Sequence, residues 1–529
     1  IQHRVFELGW QQSSRANVTG SCSRTQRENM EQAEVEPKQQ AANGELKRDA
    51  ITFTDGLVIA LASTAPAYSL AAVIGSIVVI VGFQAPAALI VSFIPMFFIA
   101  SAFYYMNKAD QDCGTSFAWV TLSIGPQSGW MTGWAICTTG ILVVGSPADV
   151  AAYSFFDLIG ATGLQDSVAA VTGFAVVLIV VMTAICVWGT ELSARVQKIL
   201  MAIQLVPLLV FIAVTLFKVY GADAPAGSIH PELSWFNPFE VGSGGALTGA
   251  LLLGVFIYWG WESAVNLNEE TDGDVTKPGL AGVISTAILL VTYLGVATAL
   301  VAWGGISGAE KFDDDAAILS TYADQVLGGV IGPLVLLAVV VSALASTQTT
   351  ILPASRTSMS MARAEAMPRD FGKISPRYFT PVFSTVTIGV LAIVWYLPSK
   401  LINEDFLFDS LSALSLMIAF YYALTGFACA WYYRHDLRKS VKNFLFVGLA
   451  PVIGALMLSY LFVKSMVDWW NPTKDDPSAV EWLGFSPPAV IGVFFLLLGV
   501  ILLFAWRHHQ NEPFFKRRPE TSDPHLLDS

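Results

Sequence analysis

Two otherwise apolar stretches of this chain carry short polar interruptions, Ser63-Thr64-Ala65-Pro66-Ala67-Tyr68-Ser69 and Tyr258-Trp259-Gly260-Trp261-Glu262. Pro66 has no N–H and disfavours helical geometry at Ala65, so a helix through the first stretch must bend or open there. An opened helix inside hydrocarbon strands N–H and C=O groups, each costing several kcal/mol unless something polar compensates it. Paired breaks at corresponding places in two halves of a chain are a transporter feature, with a bound solute and its coupling ion as the compensation. The chemistry expected is reversible binding.

Glu262 is the strongest ionisable candidate inside an apolar span. A carboxylate facing lipid costs roughly 2–4 kcal/mol, so Glu262 is expected to face the protein interior. Two readings of it stand: it satisfies amides freed by the break, or it contacts a solute or proton directly. Trp259 reads equally as an aromatic lid and as packing, and Trp261 reads as packing. Asp149, after Ser146-Pro147, reads first as a solvated carboxylate near the interface and second as a residue lining an outer vestibule.

Other chemistry is missing. His3, His230, His435, His508, His509 and His525 all fall outside the apolar spans, which removes imidazole metal sites and general bases from the membrane interior. There is no GxxxxGK[ST] phosphate loop. The five cysteines make neither a disulfide framework nor a CxxC site. The chain is therefore not expected to be an enzyme or to hold a cofactor, and its work is expected to come from a gradient.

The elements that must hold these residues are membrane helices. Of 529 residues, 54% are hydrophobic and 13% charged, too apolar for a water-soluble globule of this length. About twelve windows are long enough to cross hydrocarbon. They run over 54–80, 86–106, 127–156, 167–188, 194–217, 246–266, 279–303, 329–355, 380–397, 406–432, 443–467 and 486–506. With both termini cytoplasmic, 19 of the 29 Lys and Arg fall on the inner face and five on the outer, which favours that orientation in the cytoplasmic membrane. The net charge of -12 comes without a basic stripe, so no nucleic-acid partner is expected, nor is an obligate protein partner evident. Residues 1–46 read as a disordered cytoplasmic tail, 47–433 as the transport core, 434–506 as two additional helices and 507–529 as a second cytoplasmic tail. The chain begins with Ile1, and Met30 is a candidate start.

The order of motifs resembles the amino acid-polyamine-organocation superfamily of permeases, from about Leu46 to Arg438. Cys113-Gly114-Thr115-Ser116-Phe117-Ala118-Trp119 and Ile124-Gly125-Pro126-Gln127-Ser128-Gly129-Trp130-Met131-Thr132-Gly133-Trp134 resemble its GGxYxY and GxxxGxxxGW region. Ser193-Ala194-Arg195-Val196-Gln197 resembles the start of its fifth helix. Phe256 to Ser263, followed by Asn268-Glu269-Glu270 and Lys277-Pro278, resembles its sixth-helix break. Ser355-Arg356, Met361-Ala362-Arg363, Met367-Pro368 and Thr380-Pro381 resemble the link between its eighth and ninth helices. Four matches in the right order weigh more than any one alone.

The resemblance implies an all-α polytopic fold of about twelve transmembrane helices, a LeuT-like 5+5 inverted repeat plus two C-terminal helices. It implies alternating access to a central site between the first and sixth helices. Carried over, amides at Thr64, Ala65, Ala67 and Tyr68 would hold a substrate carboxylate, and carbonyls at Phe256 and Trp259 its amino group, with Ser63, Gly260 and Glu262 completing the site.

Two departures stand out. The family's glycine-rich first break is replaced here, which removes an amide at Pro66 and offers the hydroxyls of Ser63, Thr64 and Ser69 instead. Gln204 aligns where some proton-coupled relatives carry a lysine. Ser346 and Thr347 read either as hydroxyl ligands for sodium or as interhelical hydrogen-bonding residues. The expected function is secondary active transport of amino acids, cation-coupled uptake with sodium or proton. A polyamine permease or amino acid exchanger is the alternative within transport, and a channel or membrane sensor the alternative outside it.

Overall fold

A computed structural model describes residues 46–221, 224–242, 244–305, 315–402, 405–470, 485–510 and 513–522. The expected disordered tail lies outside these residues except for Leu46. The described residues form helices, turns and bends, with an isolated bridge between Ile51 and Thr271 and no strand among them.

The first crossing is two helices, α1 (Phe53–Thr64) and α2 (Pro66–Val81). Thr52 starts α1 with a reciprocal cap: its side chain accepts from the Asp55 amide, and Asp55 accepts from the Thr52 amide. Four continuous crossings follow: α3 (Ala85–Ala109), α5 (Pro126–Val143) running into α6 (Gly145–Leu158) after the short α4 (Ser116–Ser123), α7 (Val168–Trp188) and α8 (Thr190–Val219). The sixth crossing is interrupted again, α9 (Gly244–Tyr258) giving way to a 3-10 segment over Trp261–Glu270. Then come α10 (Lys277–Gly304), α11 (Asp315–Ile331), α12 (Pro333–Arg363), α13 (Val382–Ile402), α14 (Asp405–Tyr432), α15 (Ala450–Trp470) and α16 (Pro487–Gln510).

Among the described residues eleven helical runs are long and apolar enough to cross a membrane. The first, Phe53–Ala109, is 57 residues long, enough for two crossings at about 1.5 Å per residue, and the chain reverses near Gly82, where φ is 59°. This is the all-α polytopic architecture expected. Because four crossings separate the two interrupted ones, the sixth enters the membrane from the face opposite the first.

Most boundaries fall within a few residues of expectation. The eighth crossing does not: it was expected to end at 355, and α12 continues to Arg363. Arg356 ends the apolar window, yet its charge is answered inside the protein. Its Nε and Nη2 donate to Glu270 at 3.2–3.3 Å, Nη2 also donates to Thr190 Oγ1 at 2.9 Å, and that hydroxyl donates to Glu270 at 2.5 Å. Arg356 and Glu270 are both 0% exposed, so the helix runs on without presenting a charge to lipid.

The helix α12 lies at the centre, packed on both halves of the first crossing, on α5, α6 and α8, and on the 3-10 segment. The outward faces of α7, α8 and α13 expose large apolar side chains, Val180, Phe217 and Val394 among them. Continuous apolar surface of this kind belongs against lipid tails. The expected C-terminal tail is partly docked: Phe514 is buried and stacks on Phe117 at 5.7 Å, the Glu520 amide donates to Leu122 O, and the Ser522 amide donates to Tyr432 O.

Candidate functional site

Both interruptions expected from the sequence are breaks in the backbone, and they touch. At the first, Ala65 sits in the left-handed region (φ 49°, ψ 66°) between α1 and α2. At the second, Gly260 has φ 115° between α9 and the 3-10 segment. A Cβ on Gly260 would come within 2.9 Å of the Ser63 backbone carbon and oxygen, so only glycine allows this approach. Ser63 Oγ and Ser263 Oγ are 2.7 Å apart and tie the breaks directly. Ser63, Thr64, Ala65, Ala67, Tyr68, Phe256, Gly260 and Glu262 are all buried, and Trp259 is half-buried.

The polar groups of the first break are largely satisfied close by. The Ala65 amide donates to Leu61 O, and the Tyr68 amide donates to Ser342 Oγ of α12 at 3.1 Å. Thr64 Oγ1 returns to Ala60 O at 2.9 Å and Ser69 Oγ to Thr64 O at 2.6 Å. Two of the three hydroxyls expected to substitute for glycine amides are thus bonded to carbonyls of their own crossing, and Ser63 reaches across to the second break. Tyr68 points its phenol to Ser146 Oγ at 2.8 Å and its ring edge toward Phe256, with centroids 6.5 Å apart.

The second break depends on distant helices. Glu262 accepts three hydrogen bonds: from the Gly260 amide at 3.1 Å, from Tyr421 Oη at 2.5 Å and from Tyr422 Oη at 2.6 Å, both tyrosines on α14. Trp259 Nε1 donates to Tyr421 Oη at 2.5 Å, so indole, phenol and carboxylate form one chain. Tyr293 of α10 donates to Ile257 O at 2.6 Å. Glu262 therefore does satisfy an amide freed by the break. Trp261 is fully buried against Phe103 (4.9 Å between centroids) and Tyr422 (5.6 Å), in keeping with the packing reading.

Sequence reasoning missed Ser342, Tyr421, Tyr422, Tyr293 and Ser263. Their one visible signal is a hydroxyl in an otherwise apolar span, which membrane helices also use for plain interhelical bonds.

Among the described residues no side-chain hydrogen bond joins the ion-coupling candidates to one another. Gln204 is buried with its Nε2 against Met201 Sδ on the same helix at 3.3 Å, and Thr347 Oγ1 returns to Ala343 O at 2.9 Å. Ser346 is buried on α12. A polar link between α8 and α12 is made two turns before Gln204, by Gln197, whose Nε2 donates to Gln348 Oε1 at 2.9 Å and to Ala345 O at 3.3 Å. Asp149 is not solvated as expected: it is buried, accepts from Tyr396 Oη and pairs with Lys400 at 3.1 Å, joining α6 to α13.

One group of possible metal ligands occurs away from the breaks, where Asp112, Cys113 and Glu269 lie within 4.8 Å of one another. Its carboxylates already have donors: Gly114 N and Ser360 Oγ for Asp112, and Arg363 (2.8 Å) with the Cys113 amide (3.1 Å) for Glu269. Beside it, burial and the neighbouring Asp112 push the Asp110 carboxyl up to about 6.

With this geometry in view, the chain's likenesses are informative. The profile of the family described as amino acid permease matches residues 58–517. The branched-chain amino acid permease BcaP of Lactococcus lactis subsp. cremoris is 22% identical, over 78% of this chain and 85% of its own. The arginine/ornithine antiporter ArcD2 of the same organism is 25% identical, over 62% of this chain and 71% of its own. The low-affinity putrescine importer PlaP of Escherichia coli is 23% identical, over 72% and 80% respectively.

Proposed function

The chain belongs to the amino acid permease family and is a membrane transporter, not an enzyme; from that premise we propose that it moves amino acids across the cytoplasmic membrane by alternating access, as cation-coupled uptake. In this reading the substrate sits at the meeting point of the two breaks, where Ser63 and Ser263 touch. That juxtaposition is the observation that carries the proposal. Beside it the Tyr68 and Phe256 rings lie 6.5 Å apart, so the start of α2, a positive helix end, stands next to the last turn of α9, a negative one. Two such ends complement the carboxylate and the ammonium of an amino acid.

Ser63, Thr64, Ala65, Ala67 and Tyr68 would then form the carboxylate side and Phe256, Trp259, Gly260 and Glu262 the amine side. The Tyr68 amide has to exchange Ser342 for substrate. We further propose that both termini are cytoplasmic and that the coupling ion is sodium or a proton.

The test is uptake of labelled amino acids by purified protein in liposomes, with a sodium gradient, a proton gradient or none. Concentrative uptake under one of the gradients is expected. Uptake of polyamines in place of amino acids, or counterflow that ignores both gradients, would replace the proposal with a polyamine permease or an exchanger. Those readings are favoured by the likenesses to a putrescine importer and an arginine/ornithine antiporter.

A further inference from the structure

A cavity of about 280 Å³ opens where the junction of α7 and α8 meets the segment before α1 and the loop before α13. At ~30 Å³ per water it has room for about nine waters, enough for a phosphate and its ester arm. Its lining includes Lys47, Arg195 and Arg377 together with Trp188, Leu192 and Phe379. The loop is held against α7 by Thr380 Oγ1, which donates to Val187 O at 2.8 Å.

Several basic side chains of the same end of the bundle are answered. Lys198 pairs with Asp55, Arg356 with Glu270, Arg363 with Glu269, Arg369 with Glu365 and Lys373 with Asp370. Arg195 and Arg377 are exposed and have no ion pair among the described residues; Arg377 lies over the ring of its neighbour Tyr378, 5.1 Å from the centroid. Counting Glu191, which precedes Arg195 by one turn in the sequence, the lining segments still carry a positive surplus. Two guanidiniums beside one small cavity suit a phosphate, whose oxygens take paired N–H donors.

The rim indicates where that phosphate comes from. Trp188 is 57% exposed, and an exposed tryptophan at a helix end marks the membrane interface. Below it Val177 and Val181 of α7 stay exposed, and Leu192, Ile199 and Val206, spaced by seven residues, form an exposed apolar stripe on α8. The basic cavity thus sits at the head of two lipid-facing stripes. We propose that this cavity binds the phosphate of an anionic phospholipid, with Arg195 and Arg377 on the headgroup and the acyl chains along α7 and α8.

Native mass spectrometry of the purified full chain tests this with phosphatidylglycerol, phosphatidylcholine and inorganic phosphate as separate probes. Wild-type protein is expected to retain phosphatidylglycerol over phosphatidylcholine. R195Q/R377Q should lose at least about 10-fold of that preference, while R369Q/K373Q, which alters exposed basic groups outside the cavity, should keep it. A preference unchanged in R195Q/R377Q overturns the site, and equal retention of inorganic phosphate overturns the lipid source. A second measurement avoids the variants: amide exchange of the wild type over 188–195 and 377–380 should slow in phosphatidylglycerol nanodiscs relative to phosphatidylcholine ones. Identical exchange in the two overturns the proposal.

Discussion

The two breaks solve one physical problem in opposite ways. The first is nearly self-sufficient, with Thr64 and Ser69 folding their hydroxyls onto nearby carbonyls and one outside acceptor, Ser342 Oγ, taking the Tyr68 amide. The second is wired outward, through Glu262 to two tyrosines of α14 and through Ile257 O to Tyr293 of α10. Movement of α14 therefore reaches the second break directly, whereas the first changes with its own crossing and with α12. An asymmetry of this kind lets one half-site hold still while the other responds.

Substitutions at the second break should break this contrast hardest. Glu262→Ala strands three donors at once, and with each buried unsatisfied group costing about 1–3 kcal/mol it should abolish uptake and lower thermal stability by several degrees in a detergent melt. Glu262→Gln keeps the shape and should retain the fold while reducing uptake. Full activity and unchanged ion dependence for Glu262→Gln would demote the carboxylate to a scaffold. Next comes Gly260→Ala, whose new methyl meets the Ser63 carbonyl at 2.9 Å. It should cost at least about 1–2 kcal/mol from the backbone conformation alone, seen as a lower melting temperature and a large loss of uptake.

Smaller effects sharpen the same comparison. Tyr421→Phe removes both the bond to Glu262 and the anchor of Trp259, so it should raise the KM for substrate more than Tyr422→Phe does, as initial uptake rates would show. Ser342→Ala deletes the outside acceptor of the Tyr68 amide at the first break and should cost about 1 kcal/mol, with uptake reduced less than tenfold. Ala65→Gly should be nearly silent: relief of the left-handed strain and the greater freedom of the unfolded chain oppose each other at about 1 kcal/mol. A large loss for Ala65→Gly beside a mild one for Gly260→Ala would invert the contrast.

The crossings and both breaks were legible in the sequence because each leaves a local mark. An apolar window marks a crossing, and a proline or a glycine followed by a carboxylate inside such a window marks a break. What was not legible depends on partners far along the chain. Tyr421 and Tyr422 meet Glu262 across about 160 residues, and nothing local distinguishes them from other tyrosines in apolar spans. The end of α12 was misplaced because Arg356 looks like a terminus until Glu270, 86 residues away, is seen beside it. Gln204 and Gln197 are seven residues apart on one helix face, so the family resemblance, which picks out Gln204, does not tell which of them reaches α12.

The buried Arg356–Glu270 pair, bridged by Thr190, has a mechanical consequence. It clasps α12, the start of α8 and the end of the sixth crossing, so a gate opening between these elements must part a guanidinium from a carboxylate. In a dry interior that separation is prohibitive, because each ion would lose its counter-charge before gaining any hydration. Opening on this face must therefore proceed by wetting, with water entering as the charges separate. High concentrations of an excluded osmolyte should then slow turnover even where substrate affinity is unchanged.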